Sequence, residues 1–269
     1  CYESLHHFHH RWNHCGSIEE VENISIEELN LVHRIFYQPK NQFLKISYAG
    51  DLDKIKQLII DTYQKMEREP VLYEEIVLME PLSVYQKKKV IPAKGKEELV
   101  YVLFKIPTGD FTPKELVRLS FYISYFLKEN FSDGSHIYKE FIEKKYTIYS
   151  LEKSFDFEKH FMILTIGVFS SFLEEIKIAI LKCFQQIHVN EETFELWKKE
   201  TMIDLLLREE DPLNYLHPYA DNILTFHYEK PDTLLDAESF SVEEYRDFLN
   251  RLDFSEYAVV GRIEEEKHE

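Results

Sequence analysis

Glycine is scarce in this chain: it occurs 7 times in 269 residues, where average usage would give roughly 19. Loops that cradle phosphate groups depend on glycine, and neither G-x-G-x-x-G nor G-x-x-x-x-G-K occurs. A G-x-S-x-G segment, the usual setting of a nucleophilic serine, is also missing. The 20 phenylalanines and 17 tyrosines instead favour long helices and well-packed strands.

Basic residues are outnumbered, with 32 lysines and arginines against 49 acidic residues and a net charge of -17. Nucleic-acid binding needs clustered lysine and arginine, and an anionic membrane attracts the same residues. We therefore expect neither nucleic acid nor a membrane as a partner. Two interpretations of the acidity stay open: plain solubility, or an acidic chamber that attracts basic peptides.

Cysteine is also rare, and Cys1, Cys15 and Cys183 contain no C-x-x-C pair. This pattern argues against a disulfide framework or a zinc knuckle and favours a reducing, cytoplasmic location. No apolar run reaches the roughly 18 residues that a bilayer span requires, and the first residues do not resemble a signal peptide. The chain starts without a methionine in a histidine-rich segment, so we expect an N-terminal truncation.

A similar unit occurs near both ends of the chain. The capping box at residues 25–28 begins an amphipathic helix, and the β-rich run 42–49 then ends at Gly50. The capping box at residues 241–244 likewise begins a helix, and the strand 257–260 ends at Gly261. The repeated order predicts two related domains, the first of them cut short.

The residues between these units predict most of the second domain. Residues 69–95 are proline-rich and read as a linker, whose later part, 84–91, could pair as a strand. The expected elements that follow are a strand from 97 to 106, helices at 112–130 and 136–145, a hairpin of strands 146–155 and 159–168, and helices at 171–189, 191–209 and 212–228. This order predicts an α+β fold, with helices packed on a mostly antiparallel sheet.

The residues that could carry chemistry do not form a complete active site. Five histidines lie close together near the start of the chain: His6, His7, His9, His10 and His14. His6 and His10 have the i, i+4 spacing of an H-x-x-E-H zinc motif, but His9 occupies the position of the glutamate. Adventitious metal binding or a solvated loop remain the alternatives there. Cys183 is expected to pack in a helix, and His33, His188, His217 and His227 have no ligand spacing. We therefore assign no catalytic residue, metal ligand or cofactor to the chain.

Two stretches resemble the pitrilysin/insulinase family of zinc metallopeptidases. The first runs from Gly16-Ser17 through the helix at 25–37 and the Phe36-Tyr-Gln-Pro-Lys-Asn41 turn to Gly50-Asp51. It resembles the segment that closes the family's first domain. The second contains Ser132-Asp-Gly-Ser135, Glu143-Lys-Lys145 and Tyr149-Ser150, and it resembles a run in the next domain.

The resemblance implies a half-molecule of two related α+β domains, with two halves enclosing a peptide chamber. Residues 1–68 would be the C-terminal remnant of the first domain, 69–95 a linker, and 96–269 the catalytically inactive second domain. Zinc would belong to the parent protein or to a partner half. Tyr149 matches a substrate-holding tyrosine of the family, whereas Ile142 occupies the position of the arginine that accompanies it.

Three hypotheses follow from these residues. The chain is the non-catalytic part of a zinc peptidase subunit, with a peptide substrate and a homo- or heterodimeric partner. Alternatively, it is a degenerate, non-peptidase partner subunit with a binding or assembly role, or an interaction protein that kept only the fold. Ile142 favours the latter two, or a zinc-bearing half whose partner supplies the arginine.

Overall fold

A computed structural model describes residues 2–8, 15–65, 78–185, 189–230 and 234–264. The helices of these residues are α1 Tyr2–Leu5, α2 Ile18–Glu22, α3 Ile26–Phe36, α4 Leu52–Lys65, α5 Pro113–Phe131, α6 His136–Glu143, α7 Leu173–Gln185, α8 Glu191–Glu210, α9 Pro212–Phe226, α10 Leu234–Glu238 and α11 Val242–Asn250. The strands are β1 Lys88–Pro92, β2 Leu99–Pro107, β3 Glu152–Phe157, β4 Phe161–Val168 and β5 Tyr257–Ile263. No helix of the described residues combines the length and apolarity needed to cross a bilayer.

The five strands form one mixed sheet in the order β1-β5-β2-β4-β3. Strand β2 pairs antiparallel with both β4 and β5, β3 and β4 form an antiparallel hairpin, and only the β1–β5 pair is parallel. The predicted α+β class and the mostly antiparallel sheet are therefore confirmed. Strand β1 lies within the predicted linker 69–95 and joins the sheet, while residues 69–77 lie outside the described residues.

One face of the sheet carries the main core. Alternate residues of β2, such as Val102 and Phe104, point into it, and α5 contributes Tyr122 and Phe126, all fully buried. The rings are in close contact: Phe184 of α7 lies 4.3 Å from Phe104 and 5.0 Å from Phe126, measured between ring centroids. Burial of many aromatic side chains in one cluster is the main source of stability here.

The opposite face of the sheet is partly covered by the start of the chain. Leu5 packs with Val84, Leu103 and Phe161 in a second, smaller core cluster. The carbonyl of Ser4 accepts a hydrogen bond from the Gln86 amide at 2.9 Å. Residues 2–8, which the sequence assigns to the 1–68 segment, thus pack on the sheet. The division at residues 68 and 95 stays a prediction.

Residues 15–65, called here the N-terminal region, are built differently. Ser17 and Ser25 form capping boxes at α2 and α3, as the sequence predicts for Ser25. However, no buried residue occurs in α2, α3 or α4. The strand predicted at 42–49 is wrong, since these residues join no ladder in the described structure. A strand needs a neighbour for its backbone hydrogen bonds, and this run has none among the described residues.

Most predicted elements of the later chain are present with shifted ends. Thr112 and Asn190 cap α5 and α8 through their side chains, as expected for these residue types. The strand predicted at 146–155 begins only at Glu152. The chain first turns at Lys145, which has a φ of 57°, and again at 147–149, where the Tyr149 amide bonds to Thr147 Oγ1. Residues 212–228, predicted as shorter helices, contain the single helix α9 with Pro218 inside it.

Candidate functional site

The turn between α6 and β3 holds Tyr149, the residue predicted to contact substrate. The Tyr149 amide donates a hydrogen bond to Thr147 Oγ1 at 3.1 Å. The Ser150 hydroxyl donates to Asp133 Oδ2 at 2.9 Å, which ties the turn to the loop after α5. These local bonds fix the backbone at residue 149 without using its side chain.

The Tyr149 side chain is available to a ligand. It is 48% exposed, and its ring meets Phe169 edge-on at 5.3 Å between centroids. Its hydroxyl makes no hydrogen bond to any residue that the structure describes. A tyrosine supported on one side and open on the other can donate a hydrogen bond to a peptide carbonyl.

Strand β3 follows this turn and is an edge strand of the sheet. It pairs with β4 on one side, and the described residues contain no strand on its other side. Glu152, its first residue, accepts a hydrogen bond from the Tyr101 hydroxyl at 2.5 Å. Burial, and then the Glu152 carboxylate, raise the pKa of Tyr101 to about 12, so this tyrosine stays neutral. Tyr149 and the open edge of β3 together form what we call the Tyr149 site.

Ile142 lies on α6 and is partly exposed. Its side chain carries no hydrogen-bond donor, so it cannot replace the arginine found at this position in the family that the sequence resembles. The roles of Tyr149 and Ile142 stay predictions.

The histidine cluster does not form a metal site among the residues that the structure describes. His6 is buried, with its Nδ1 3.8 Å from Glu80 Oε1, and His7 directs its Nε2 to the Ser83 carbonyl oxygen at 3.0 Å. His9, His10 and His14 lie outside the described residues. No group of three or more potential ligands occurs in the described part of the chain. Of the cluster, only His6 and His7 are described, and neither belongs to such a group.

The remaining candidate residues have structural surroundings. Cys183 is partly buried in α7, its thiol lies 3.5 Å from Asn130 Oδ1, and burial raises its pKa to about 11. A thiol with that pKa is a poor nucleophile near neutral pH. His33 stacks on Tyr37, and His217 contacts Lys45. His188 lies outside the described residues.

Two features were missed in the sequence. One is a buried ion pair in which Lys105 Nζ, on β2, lies 2.8 Å from Glu80 Oε1. The sequence pattern that could have revealed this pair is a lone lysine, Lys105, inside an otherwise apolar strand. The other is a cavity of about 980 Å³ bounded by α5, α6, α7 and α8. Its lining comes from four separate helices, so no local pattern marks it.

Comparison with solved structures identifies the fold. The chain aligns over 98% of its length with an M16-like peptidase from Alicyclobacillus acidocaldarius, at a TM-score of 0.75 and 18% identity. It aligns over 98% with a peptidase M16 inactive domain from Pseudomonas fluorescens, at a TM-score of 0.71 and 13% identity. The chain has the fold of M16-like peptidases. No protein-family model and no curated protein matches the sequence.

The M16-like fold extends to larger proteins. A ferredoxin protease solved in complex with Arabidopsis ferredoxin matches 95% of this chain at a TM-score of 0.66 and 12% identity, although only 28% of the protease is covered. The chain spans 64% of the Alicyclobacillus protein and 63% of the Pseudomonas domain, which is less than two thirds of each. M16 is the pitrilysin/insulinase group, so the resemblance seen in the sequence and the M16-like fold agree.

Proposed function

We propose that this chain is the non-catalytic C-terminal portion of a pitrilysin/insulinase-like zinc peptidase subunit. It forms part of the wall of a peptide-enclosing chamber and part of the interface with a second half. The observation that supports this most is the likeness, over 98% of the chain, to a structure described as an M16 inactive domain. Zinc belongs to the parent protein or to the partner half.

The Tyr149 site suggests how peptide is held. An extended peptide can add a strand to the open edge of β3, which gives affinity through main-chain hydrogen bonds with little sequence preference. The Tyr149 hydroxyl then donates to a peptide carbonyl beside that strand. The complex between a ferredoxin protease of this fold and ferredoxin supports a polypeptide as the ligand. The sequence has three cysteines and no C-x-x-C pair, and this pattern supports a reducing, cytoplasmic location as part of the proposal.

The first experiment measures zinc content and cleavage of a quenched peptide library with the full-length gene product. Both measurements are made on this protein alone and again after a homologous half is added. Stoichiometric zinc and chelator-sensitive cleavage would support the proposal. Activity that appears only with the added half, and without zinc in this protein, would support the alternative of a degenerate partner subunit. No zinc and no cleavage in either mixture would overturn the peptidase proposal.

The second experiment tests Tyr149 in the active assembly. Tyr149→Phe removes only the hydroxyl, so we expect cleavage to fall about tenfold, the effect of losing one useful hydrogen bond. Tyr48→Phe, at an exposed tyrosine of the N-terminal region, is the matched control and should leave cleavage unchanged. Equal cleavage by the Tyr149→Phe variant and the unmodified protein would exclude a role for this hydroxyl.

The alternative, a degenerate partner subunit with a binding or assembly role, rests on Ile142. An isoleucine at this partly exposed position cannot stabilise the developing negative charge of a peptide-bond transition state. If the alternative is correct, Ile142→Arg would not increase cleavage in any mixture. A gain of cleavage in that variant would instead indicate a substrate-facing position.

A further inference from the structure

The cavity of about 980 Å³ lies among the helices and contains neither Tyr149 nor any residue of the sheet. Its walls are the C-terminal half of α5, the helix α6, and the facing sides of α7 and α8. Its volume is at the upper end of the range for ligand sites of about 300–1,000 Å³. A space of this size between helices can hold several side chains of a ligand.

The inner surface is apolar and partly uncovered. Trp197 and Tyr125 line the cavity and contact each other at 5.0 Å between ring centroids. Ile178 of α7 and Leu196 of α8 also line it, yet they are 61% and 59% exposed. Two large aliphatic side chains left open beside buried aromatic rings form a surface that gains free energy when a ligand covers it.

The charges at the rim are unevenly paired. Lys128 forms an ion pair with Glu200, and Lys144 with Glu140 at 2.5 Å. Glu129 and Glu175 also line the cavity and form no ion pair with any described residue, which leaves them against one remaining lysine, Lys182. The lining glutamates therefore outnumber the lining lysines, and the whole chain likewise has a negative net charge, of -17. This charge favours a cationic ligand.

The core behind the cavity contains an unused polar group. The Tyr245 hydroxyl is buried and has no hydrogen-bond partner among the described residues. Its ring lies 5.1 Å from that of Tyr125. Burial, followed by the nearby Tyr125, Glu129 and Cys183, raises the pKa of Tyr245, and all three of these neighbours line the cavity. The Tyr245 ring thus packs against Tyr125, which lines the cavity wall.

We propose that this cavity is a docking site for a polypeptide segment with bulky apolar side chains flanked by lysine or arginine. The apolar side chains cover Trp197, Ile178 and Leu196, and the flanking cations pair with Glu129 and Glu175. The site is separate from the Tyr149 site, because no residue of the turn 147–151 or of the edge strand β3 lines it. The proposal does not depend on the zinc peptidase proposal.

The test uses a fluorescein-labelled ten-residue peptide with a core of leucine and phenylalanine and two lysines at each end. Binding to the whole chain is followed by fluorescence anisotropy at physiological salt. In a Trp12→Phe background, Trp197 is the sole tryptophan, and its emission reports contact directly. We expect saturable binding, a change in Trp197 emission over the same concentration range, and weaker binding at high salt.

Substitutions at the exposed aliphatic residues locate the site. Leu196→Asp and Ile178→Asp each place a carboxylate on the apolar wall, and each should weaken binding at least about tenfold. Ile203→Asp is the matched control, since Ile203 is an exposed residue of the same helix α8 outside the cavity. It should leave the affinity unchanged. Circular dichroism of all variants confirms that each is folded.

Charge preference is tested with a second peptide in which glutamates replace the lysines. The unmodified protein should bind it at least about tenfold more weakly, and Glu129→Gln combined with Glu175→Gln should remove most of that difference. Several results would overturn the proposal: no saturable binding, equal binding of the two peptides, or full affinity in the folded Leu196→Asp variant. The last result is also expected if the peptide adds to strand β3 instead.

Discussion

The N-terminal region and the sheet region, residues 78–264, contain the same kind of unit with opposite outcomes. In each, a serine caps a helix through its side chain: Ser25 caps α3 and Ser241 caps α11. The helix α11 buries Val242, Tyr245, Phe248 and Leu249, whereas α3 buries none of its side chains. The strand after α11 pairs with β1 and β2, but residues 42–48 after α3 form no strand ladder with any described residue.

The difference teaches that capping and amphipathic spacing make a helix locally, while burial requires a neighbouring surface. Both serine caps form because each uses only residues within one turn. The full capping box predicted at 241–244 is only half formed, since the Glu244 carboxylate accepts hydrogen bonds from Arg118 and Tyr122 instead of from the Ser241 amide. The core contacts of α11 come from α5 and α8, which lie far away in the chain. Most helical stability in proteins comes from such packing. The two regions should therefore respond differently to the same kinds of substitution.

The largest expected effect is a truncation in the sheet region. Phe126 is fully buried and packs against Phe131 and Phe184. Phe126→Ala removes an aromatic ring and leaves a cavity, so the free energy of unfolding should fall by about 3–5 kcal/mol. Urea denaturation followed by circular dichroism measures this. A loss below about 1 kcal/mol would mean that the aromatic cluster is not the cooperative core.

The buried ion pair offers the next test. Lys105 Nζ bonds to Glu80 at 2.8 Å and to the Leu5 carbonyl oxygen at 3.2 Å, and the amides of His7 and Phe8 bond to the same carboxylate. Burial lowers the pKa of Lys105, and the Glu80 carboxylate opposes that shift. Lys105→Met leaves Glu80 without its cation and should cost about 3 kcal/mol. Amide exchange at residues 2–8 should accelerate.

Lys89→Met is the matched control for that substitution. Lys89 also pairs with the start of the chain, at Glu3, but both side chains are partly exposed. Surface pairs contribute about 0–1 kcal/mol, so this variant should lose little stability and keep amide exchange at residues 2–8 slow. Equal losses of unfolding free energy in Lys105→Met and Lys89→Met would show that the buried pair stabilises the fold no more than the exposed pair.

Acid titration compares the capping boxes of the two regions. Hydrogen bonds from Thr112 and then Arg251 lower the pKa of Glu115 from 4.5 to about 2. A lowered folded-state pKa stabilises the fold above the unfolded value, and that contribution disappears as pH falls from about 4.5 to about 2. Because Glu115 is about a third exposed, we expect only about 1 kcal/mol.

The titration is read as a difference between variants. The gap in unfolding free energy between the unmodified chain and Glu115→Gln should be present at pH 6 and shrink as pH falls toward 2. Glu28→Gln changes the matching box of α3, where Ser25 lowers the pKa of Glu28 in a fully exposed setting. It should not shift the cooperative transition at any pH. A constant gap for Glu115→Gln would contradict the lowered pKa.

Much of the sheet region could be predicted because its signals are local. Thr112, Asn190 and Ser241 each mark a helix start within one turn, and the nearly continuous apolar run of β2 marks a strand buried on both faces. The run 42–49 has the same composition as a strand, but a ladder depends on a neighbour that the local sequence does not specify. The late start of β3 follows two turns, at Lys145 and at 147–149, and the left-handed backbone of Lys145 is one that a non-glycine residue adopts only in context.

The candidate sites differ in the same way. Tyr149 was predicted from a motif, and the structure adds that its ring is half exposed beside an edge strand. The docking cavity combines residues of four helices between Tyr125 and Glu200, so its apolar floor and acidic rim exist only after folding. The pairing of Lys105 with Glu80 is likewise long-range. Sequence patterns identify which residues could act, and packing decides which of them meet.

The smallest expected effect is in the N-terminal region and tests the comparison itself. Leu58 lies on α4 and is 60% exposed. If the apolar side of α4 is open to water, Leu58→Glu removes no packing and should change the unfolding free energy by no more than about 0.5 kcal/mol. Because it also reduces exposed apolar surface, binding of a hydrophobic dye should fall. Both quantities are measured on the same protein preparation as Phe126→Ala.

The opposite result would be equally informative. A loss of about 2 kcal/mol or more would mean that the Leu58 side chain is buried in solution, because polar substitutions at exposed positions rarely cost that much. The apolar side of α4 would then have a neighbour, such as a second copy of the chain, and the loss should grow with protein concentration if so. Repeating the measurement over a hundredfold range of concentration distinguishes intermolecular burial from burial within one chain. In either case, the difference in burial between α4 and α11 would come from whether a neighbouring surface is present and not from the helix sequence.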